Sequence, residues 1–266
     1  MSDLELAYAI TGTPAADGLP LVLVHGFMGN MGTWAPVLPT LGASREIVTY
    51  DHRGHGDSPN TGDADSYTFD QLVADFAALV DSLSLERFHL LGHSMGGVVA
   101  MRYTLDHPDR VASLIPMDTA PAPAGDDNEG FMRMGIELAR TQGMPALVDM
   151  INAAIPDAPE FADMRDSLRR DLSAMDPLAF AAFGEELLAY PSFADRLPML
   201  TQPATVLVGV NDVGLRAAAD LMAATIPGAT LAVIPDAGHN PHAENAAAWL
   251  DAVASHFDRF DSPSAR

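Results

Sequence analysis

The sequence predicts an α/β fold: a mostly parallel, doubly wound sheet carrying an inserted helical lid. Three observations predict it. Short aliphatic runs without period-two alternation recur along the chain, as expected of strands buried on both faces. Longer segments with apolar residues at helical spacing separate them, the alternation of a parallel sheet with right-handed crossovers. That rhythm stops at about residue 119 and resumes at about residue 198. The expected division is a core of residues 1–118 and 198–266 and a helical lid of residues 119–197.

Taken in order, "LPLVLVHG" (19–26) is the first buried strand, "REIVTYD" (45–51) the second and "RFHLLGH" (87–93) the third. Before the third, "YTFDQLVADFAALVDSL" (67–83) places Phe69, Leu72, Val73, Phe76, Leu79, Val80 and Leu83 on one helical face. "MGGVVAMRYTLDHP" (95–108) reads as a helix stopped by Pro108, and "VASLIPMD" (111–118) as a strand. The lid has a Pro/Gly/Asp-rich loop and helical segments at 129–142, 145–154, 161–174 and 177–190. "ATVLVGV" (204–210), a helix near 215–225, "ATLAVIP" (229–235) and a last helix from 242 to 257 complete the sheet.

Composition narrows the chemistry. The 266 residues carry 14 basic and 36 acidic side chains, a formal charge of −22, which repels nucleic-acid backbones and anionic membranes alike. Every one of the 14 basic residues is arginine. Without lysine there is no Schiff-base or phosphate-loop lysine chemistry. Without cysteine there is no thiolate nucleophile, Cys-ligated zinc or iron–sulfur cluster. Oxygen and imidazole chemistry remain. No apolar run reaches the ~18 residues of a membrane span, and "MSDLELAYAITG" has no basic residue of a secretory signal, so a cytoplasmic location is expected.

"GHSMGG" (92–97) sits between a strand and a helix, the context in which Gly-x-Ser-x-Gly forms a sharp turn with its serine raised at the helix start. A serine hydroxyl needs a base within hydrogen-bond reach. Later strands deliver Asp212 in "GVND" and His239 in "AGHNPH", in the chain order the motif requires.

With "HGFMGN" (25–30) and "DHRGHGDS" (51–58) added, the chain resembles the α/β-hydrolase family over nearly its whole length. The resemblance implies Ser94 as nucleophile, His239 as general base and acid, and Asp212 as the acid orienting the imidazole. Relatives that take the acid from the preceding strand make Asp118 the alternative. Two backbone N–H groups should hold the oxyanion, from Met95 and from Phe27, with Met28 as second choice for the latter. His25 should shape the loop, while His93 and His242 should be local hydrogen-bond partners. Asp51, His52, His55 and Asp57 superficially resemble a metal cluster but lack a metal motif's spacing, so no metal or cofactor is expected.

The expected substrate pocket draws on Met28, Trp34, His93, Met132 and Met150, an adaptable apolar lining suited to a neutral acyl or aryl group. Arg133, Arg140, Arg165, Arg169 and Arg170 lie in the lid, and one facing inward would favour a carboxylated substrate instead. The expectation is a cofactor-independent serine hydrolase of small to medium carboxylic esters, lactones among them, with a small-molecule partner and an oligomeric state the sequence leaves open. The rivals are C–C bond hydrolysis, perhydrolysis or a lyase step on the same triad, and a low-turnover ligand receptor. Haloalkane dehalogenases and epoxide hydrolases of this fold need a carboxylate at the elbow, where this chain has Ser94.

Overall fold

The central strands send side chains into two different cores, which is why they read as unbroken aliphatic runs. In the computed structural model, which describes residues 4–123, 125, 129–156, 158 and 162–261, seven strands form one sheet. They are β1 (Tyr8–Gly12), β2 (Leu21–Val24), β3 (Glu46–Tyr50), β4 (Phe88–His93), β5 (Val111–Met117), β6 (Thr205–Gly209) and β7 (Thr230–Ile234). Their order is β1-β3-β2-β4-β5-β6-β7; β1 is antiparallel to β3 and every other pairing is parallel.

The helices cover both faces. Val22 and Val24 of β2 join the core under α2 (Phe69–Ser82) and α3 (Met95–Asp106). Leu21 and Leu23 of the same strand pack on the opposite side, with Trp34, Leu41 of α1 (Leu38–Gly42) and Trp249. The sheet is therefore doubly wound. Edge strand β1 escapes sequence reading because it is mostly solvent-facing: Tyr8 and Ile10 are both exposed, so no aliphatic run marks it.

Between β5 and β6 lie four helices: α4 (Glu129–Gln142), α5 (Met144–Ala154), α6 (Ala162–Ser173) and α7 (Pro177–Ala189). No strand interrupts them among the described residues. Local chemistry sets their ends. Gly143 takes a left-handed φ of 78° between α4 and α5, and Asp176 caps α7 by accepting from the Leu178 N–H, with Pro177 in the first turn. The sequence places α6 at 161–174; residue 161 is outside the described residues, as is the side chain of Met164.

After β6, α8 is Val213–Thr225. The single C-terminal helix expected from sequence is two, α9 (Pro241–Glu244) and α10 (Ala246–Asp261). Asn245 separates them: its backbone leaves the helical region at φ −141°, and its side chain accepts from the Ala248 N–H to start α10.

Candidate active site

Ser94 stands where β4 turns sharply into α3, with φ 53° and ψ −119°, a conformation side chains rarely adopt. The glycines around it are required by close approach. A Cβ on Gly92 would lie 2.3 Å from the Gly96 carbonyl, and one on Gly96 would lie 2.4 Å from the carbonyls of Val24 and His25. The turn is further tied to β5: the Ser94 N–H donates to Met117 O, and Thr119 Oγ1 donates to Ser94 O at 2.7 Å. As the first residue of α3, Met95 has an N–H with no acceptor inside the helix.

The loop after β2 comes up against this turn. A Cβ on Gly26 would sit 3.1 Å from the Ser94 Cβ. His25 shapes that loop: its Nε2 accepts from the His52 N–H, which leaves Nδ1–H to donate to Gly26 O at 2.8 Å. Burial lowers its pKa to about 4, so the ring is neutral and structural. Phe27 packs its ring 4.9 Å from Phe180 of α7, and Met28 adopts a left-handed φ of 65°.

Asp212 ends the loop after β6 and starts α8; His239 lies in the loop between β7 and α9. The His239 Nδ1 is 2.7 Å from Asp212 Oδ2, which fixes the tautomer with Nδ1–H donating and Nε2 free to accept. Burial pushes the Asp212 carboxyl up, but the hydrogen bond and charge of His239 hold it below the usual carboxylate value. Asp118, the alternative acid, is beside this pair: Asp118, Asp212 and His239 each bring an oxygen or nitrogen within 4.8 Å of the others.

Two groups position the histidine loop, and one of them, Glu244, escapes sequence reading. Glu244 of α9 reaches back to the histidine loop, accepting from the N–H of Gly238 at 2.6 Å and of Asn240 at 2.9 Å, so one carboxylate brackets His239. His93 donates Nε2–H to the His239 carbonyl at 2.7 Å. Only Glu244's place in the first turn after "GHNP" hints at its part.

A cavity of about 740 Å³ opens at this site, with Ser94, Asp118, Asp212 and His239 in its wall. Phe27, Met28, Met132 and Met150 also line it, with Phe131, Leu147, Ile151, Phe180, Leu187 and Leu188. Trp34 and His93, expected there, do not: both are buried beneath the site. A short helical turn, Met31–Trp34, capped by Asn30, swings the indole onto His242 and Trp249. His93 points from the end of β4 toward the His239 backbone. Of the other lid methionines, Met144 and Met175 are buried and Met134 is exposed.

The lid arginines turn away from the cavity. Arg133 pairs with Glu129, Arg140 with Glu185 and Arg169 with Asp166; Arg165 donates to Pro156 O and Arg170 is exposed. Among the described residues, no arginine lines the cavity.

The "DHRGHGDS" segment braces the loop after β2. Asp51 accepts from the Met31 N–H and the Asp57 N–H, and Gly56 at φ 51° leaves room for that carboxylate. Among the described residues, the His/Asp grouping that could converge on an ion is Asp118, Asp212 and His239, the last two joined by their own hydrogen bond.

Set beside known proteins, residues 20–246 match the sequence model of the alpha/beta hydrolase fold. A thermophilic esterase from Thermogutta terrifontis is 30% identical with a TM-score of 0.82, the match covering 97% of this chain and 95% of the esterase. The enol-lactonase from Burkholderia xenovorans LB400 is 27% identical with a TM-score of 0.81, over 96% and 97% of the two chains. RutD of Stutzerimonas stutzeri (strain A1501), which carries the name of a carbamate hydrolase, is 28% identical over 87% of this chain and 89% of its own. A fluoroacetate dehalogenase from a Burkholderia species is 41% identical over a shorter stretch, 39% of this chain and 35% of that protein.

Proposed function

The chain belongs to the alpha/beta hydrolase fold family, and from the geometry of its site we propose that it is a cofactor-independent serine hydrolase of small to medium, uncharged carboxylic esters, lactones included. The observation that carries this reading is the His239–Asp212 pair at 2.7 Å, sharing with Ser94 a cavity whose wall, among the described residues, holds no arginine.

In this reading Ser94 Oγ attacks the ester carbonyl while His239 Nε2 takes its proton. Asp212 holds the ring in that tautomer and stabilises the imidazolium. The N–H groups of Met95 and Phe27 receive the oxyanion, with the dipole of α3 adding to the field. His239 then protonates the leaving alkoxide, and a water repeats the sequence on the acyl-enzyme. The helices between β5 and β6 act as the lid that shelters the acyl chain, their inner residues being aliphatic, aromatic and Met.

Charge favours the uncharged class. A carbamate ion or a substrate carrying a free carboxylate would bring an anion into a wall where, among the described residues, no arginine stands to receive it. A dehalogenation that proceeds through a carboxylate nucleophile has only Ser94 at the elbow. Lactones remain in the reading because the enol-lactonase fold is similar over nearly the full chain.

A panel of p-nitrophenyl esters of rising chain length, a lactone, a C–C diketone substrate and a p-nitrophenyl hemiester with a free carboxylate tests the reading. Neutral esters should be cleaved and the carboxylated one should lag; cleavage of no ester would sink the proposal. Ser94→Ala should lose at least ~10³-fold in kcat. Prompt labelling of Ser94 by a fluorophosphonate separates an enzyme from a ligand receptor of the same fold.

A further inference from the structure

Asp118 is the most unusual polar group in the molecule. It follows β5 directly, holds a left-handed φ of 42°, and its side chain is buried. One carboxyl oxygen accepts from the Gly209 N–H at 2.9 Å. The other, Oδ2, is buried without a hydrogen-bond partner, and a carboxyl oxygen of Asp212, the residue that holds His239, lies within 4.8 Å of the Asp118 carboxyl. Two carboxyl groups this close, one of them buried with an oxygen that nothing donates to, cannot both stay charged, so one member of the pair carries a proton.

Which one is settled by what faces each. Asp212 receives the His239 Nδ1–H and keeps the charge. Asp118 has no cation beside it. Burial, then the facing Asp212 charge and more distantly Glu244 of α9, push its carboxyl up to about 9. The titratable groups around it are therefore Asp212 at the start of α8 and Glu244, with His239 across from Asp212.

We propose that Asp118 is a protonated positioning acid, whose O–H donates to the Asp212 carboxylate and so leaves the other Asp212 oxygen aimed at His239. It acts through Asp212. Its ionisation would set two anions against each other at the base of the site, turning Asp212 away from the ring. The relay runs Asp118 O–H to Asp212, Asp212 to His239 Nδ1–H, His239 Nε2 to Ser94, and it rests on the serine-hydrolase reading above.

The test uses Asp118→Asn and Asp118→Gly in the full chain. Asparagine keeps both contacts, Oδ1 accepting from Gly209 and Nδ2–H donating to Asp212, and it tolerates the left-handed backbone. Glycine also suits that backbone but removes both contacts. The rate of Ser94 labelling by a fluorophosphonate is followed against pH, with kcat and KM on a p-nitrophenyl ester. D118N should label within ~3-fold of wild type near neutrality and keep its rate near pH ~10, where wild type falls ~10-fold. D118G should lose ~10–100-fold in kcat with KM little changed.

A folded D118N that loses ~10³-fold would show that Asp118 must be ionised, and would overturn the proposal. So would an unchanged alkaline limb in D118N. Thermal melts give a readout independent of any hydrolase activity. In wild type the unfolded Asp118 ionises near 3.8 while the folded one stays protonated to about 9, so its contribution to stability falls as pH rises between them. The Tm advantage of D118N over wild type should therefore grow over that range, and a constant difference would refute a protonated Asp118. Should wild type resist labelling, the hydrolase reading fails while the melts still decide the protonation of Asp118.

Discussion

At the elbow, single atoms decide the outcome. A Cβ on Gly96 would meet two backbone carbonyls at 2.4 Å, and backbone cannot rotate out of the way as a side chain can. Gly96→Ala should therefore cost ~2 kcal/mol or more by urea titration and abolish labelling of Ser94, whereas an alanine at exposed Gly214, which meets nothing, should cost little. Ser94, Asp212 and His239 were legible in the sequence because each closes a strand that reads clearly as a strand. The parts of Glu244 and of Asp118 beside Asp212 were not. Their roles depend on where a side chain points across the chain, as when Glu244 caps the loop of Gly238 or Asp118 faces the start of α8. Trp34 failed for the same reason: a short capped turn, invisible in spacing, rotates it into the core.

Among the elements, the four helices between β5 and β6 are held to the core by few polar contacts. The Tyr67 O–H donates to Asp176 Oδ2, the Asp176 N–H to Gly54 O, and the Phe69 N–H to Glu186 of α7. Asp176 thus caps α7 with one oxygen and clasps the core with the other. Tyr67→Phe removes one donor from a buried carboxylate and should cost ~1–3 kcal/mol. Because α7 carries Phe180 against Phe27, the loosened helix should raise KM for neutral esters more than it lowers kcat, and steady-state kinetics with thermal melts would check both. The helices here were readable from the 3.6-residue period, with ends set by Asp176, Pro177 and Gly143. β1 was not readable, since an exposed edge strand has little apolar pattern to show.

For the molecule as a whole, buried imidazoles govern its response to acid. Burial lowers the pKa of His25 and His242 to about 4 and of His55 and His256 to about 3, with a neighbouring imidazole adding at His242 and His55 and Arg259 at His256; His52 and His93, buried beside other imidazoles, are pushed well below the ordinary value. The unfolded chain takes these protons near 6.5, while the folded chain withholds them, so the unfolded state binds more protons and stability falls as pH drops through that window. Each withheld proton contributes ~1.4 kcal/mol per pH unit. Tm should therefore fall steeply from near pH 6.5 toward pH 4, and a flat profile by circular dichroism would contradict the neutral, buried assignment. The parallel strands of the doubly wound sheet followed from the aliphatic runs, but this acid sensitivity did not, because nine histidines in a sequence carry no mark of which are dry. A different tension is fixed in the backbone. Met28, Ser94 and Asp118 all hold left-handed φ without being glycine, each at a strain of ~1–3 kcal/mol, and all three border one cavity. A library of variants ranked by heat resistance alone would drift toward glycine at these three codons, trading chemistry for rigidity; selection for turnover must pull against it.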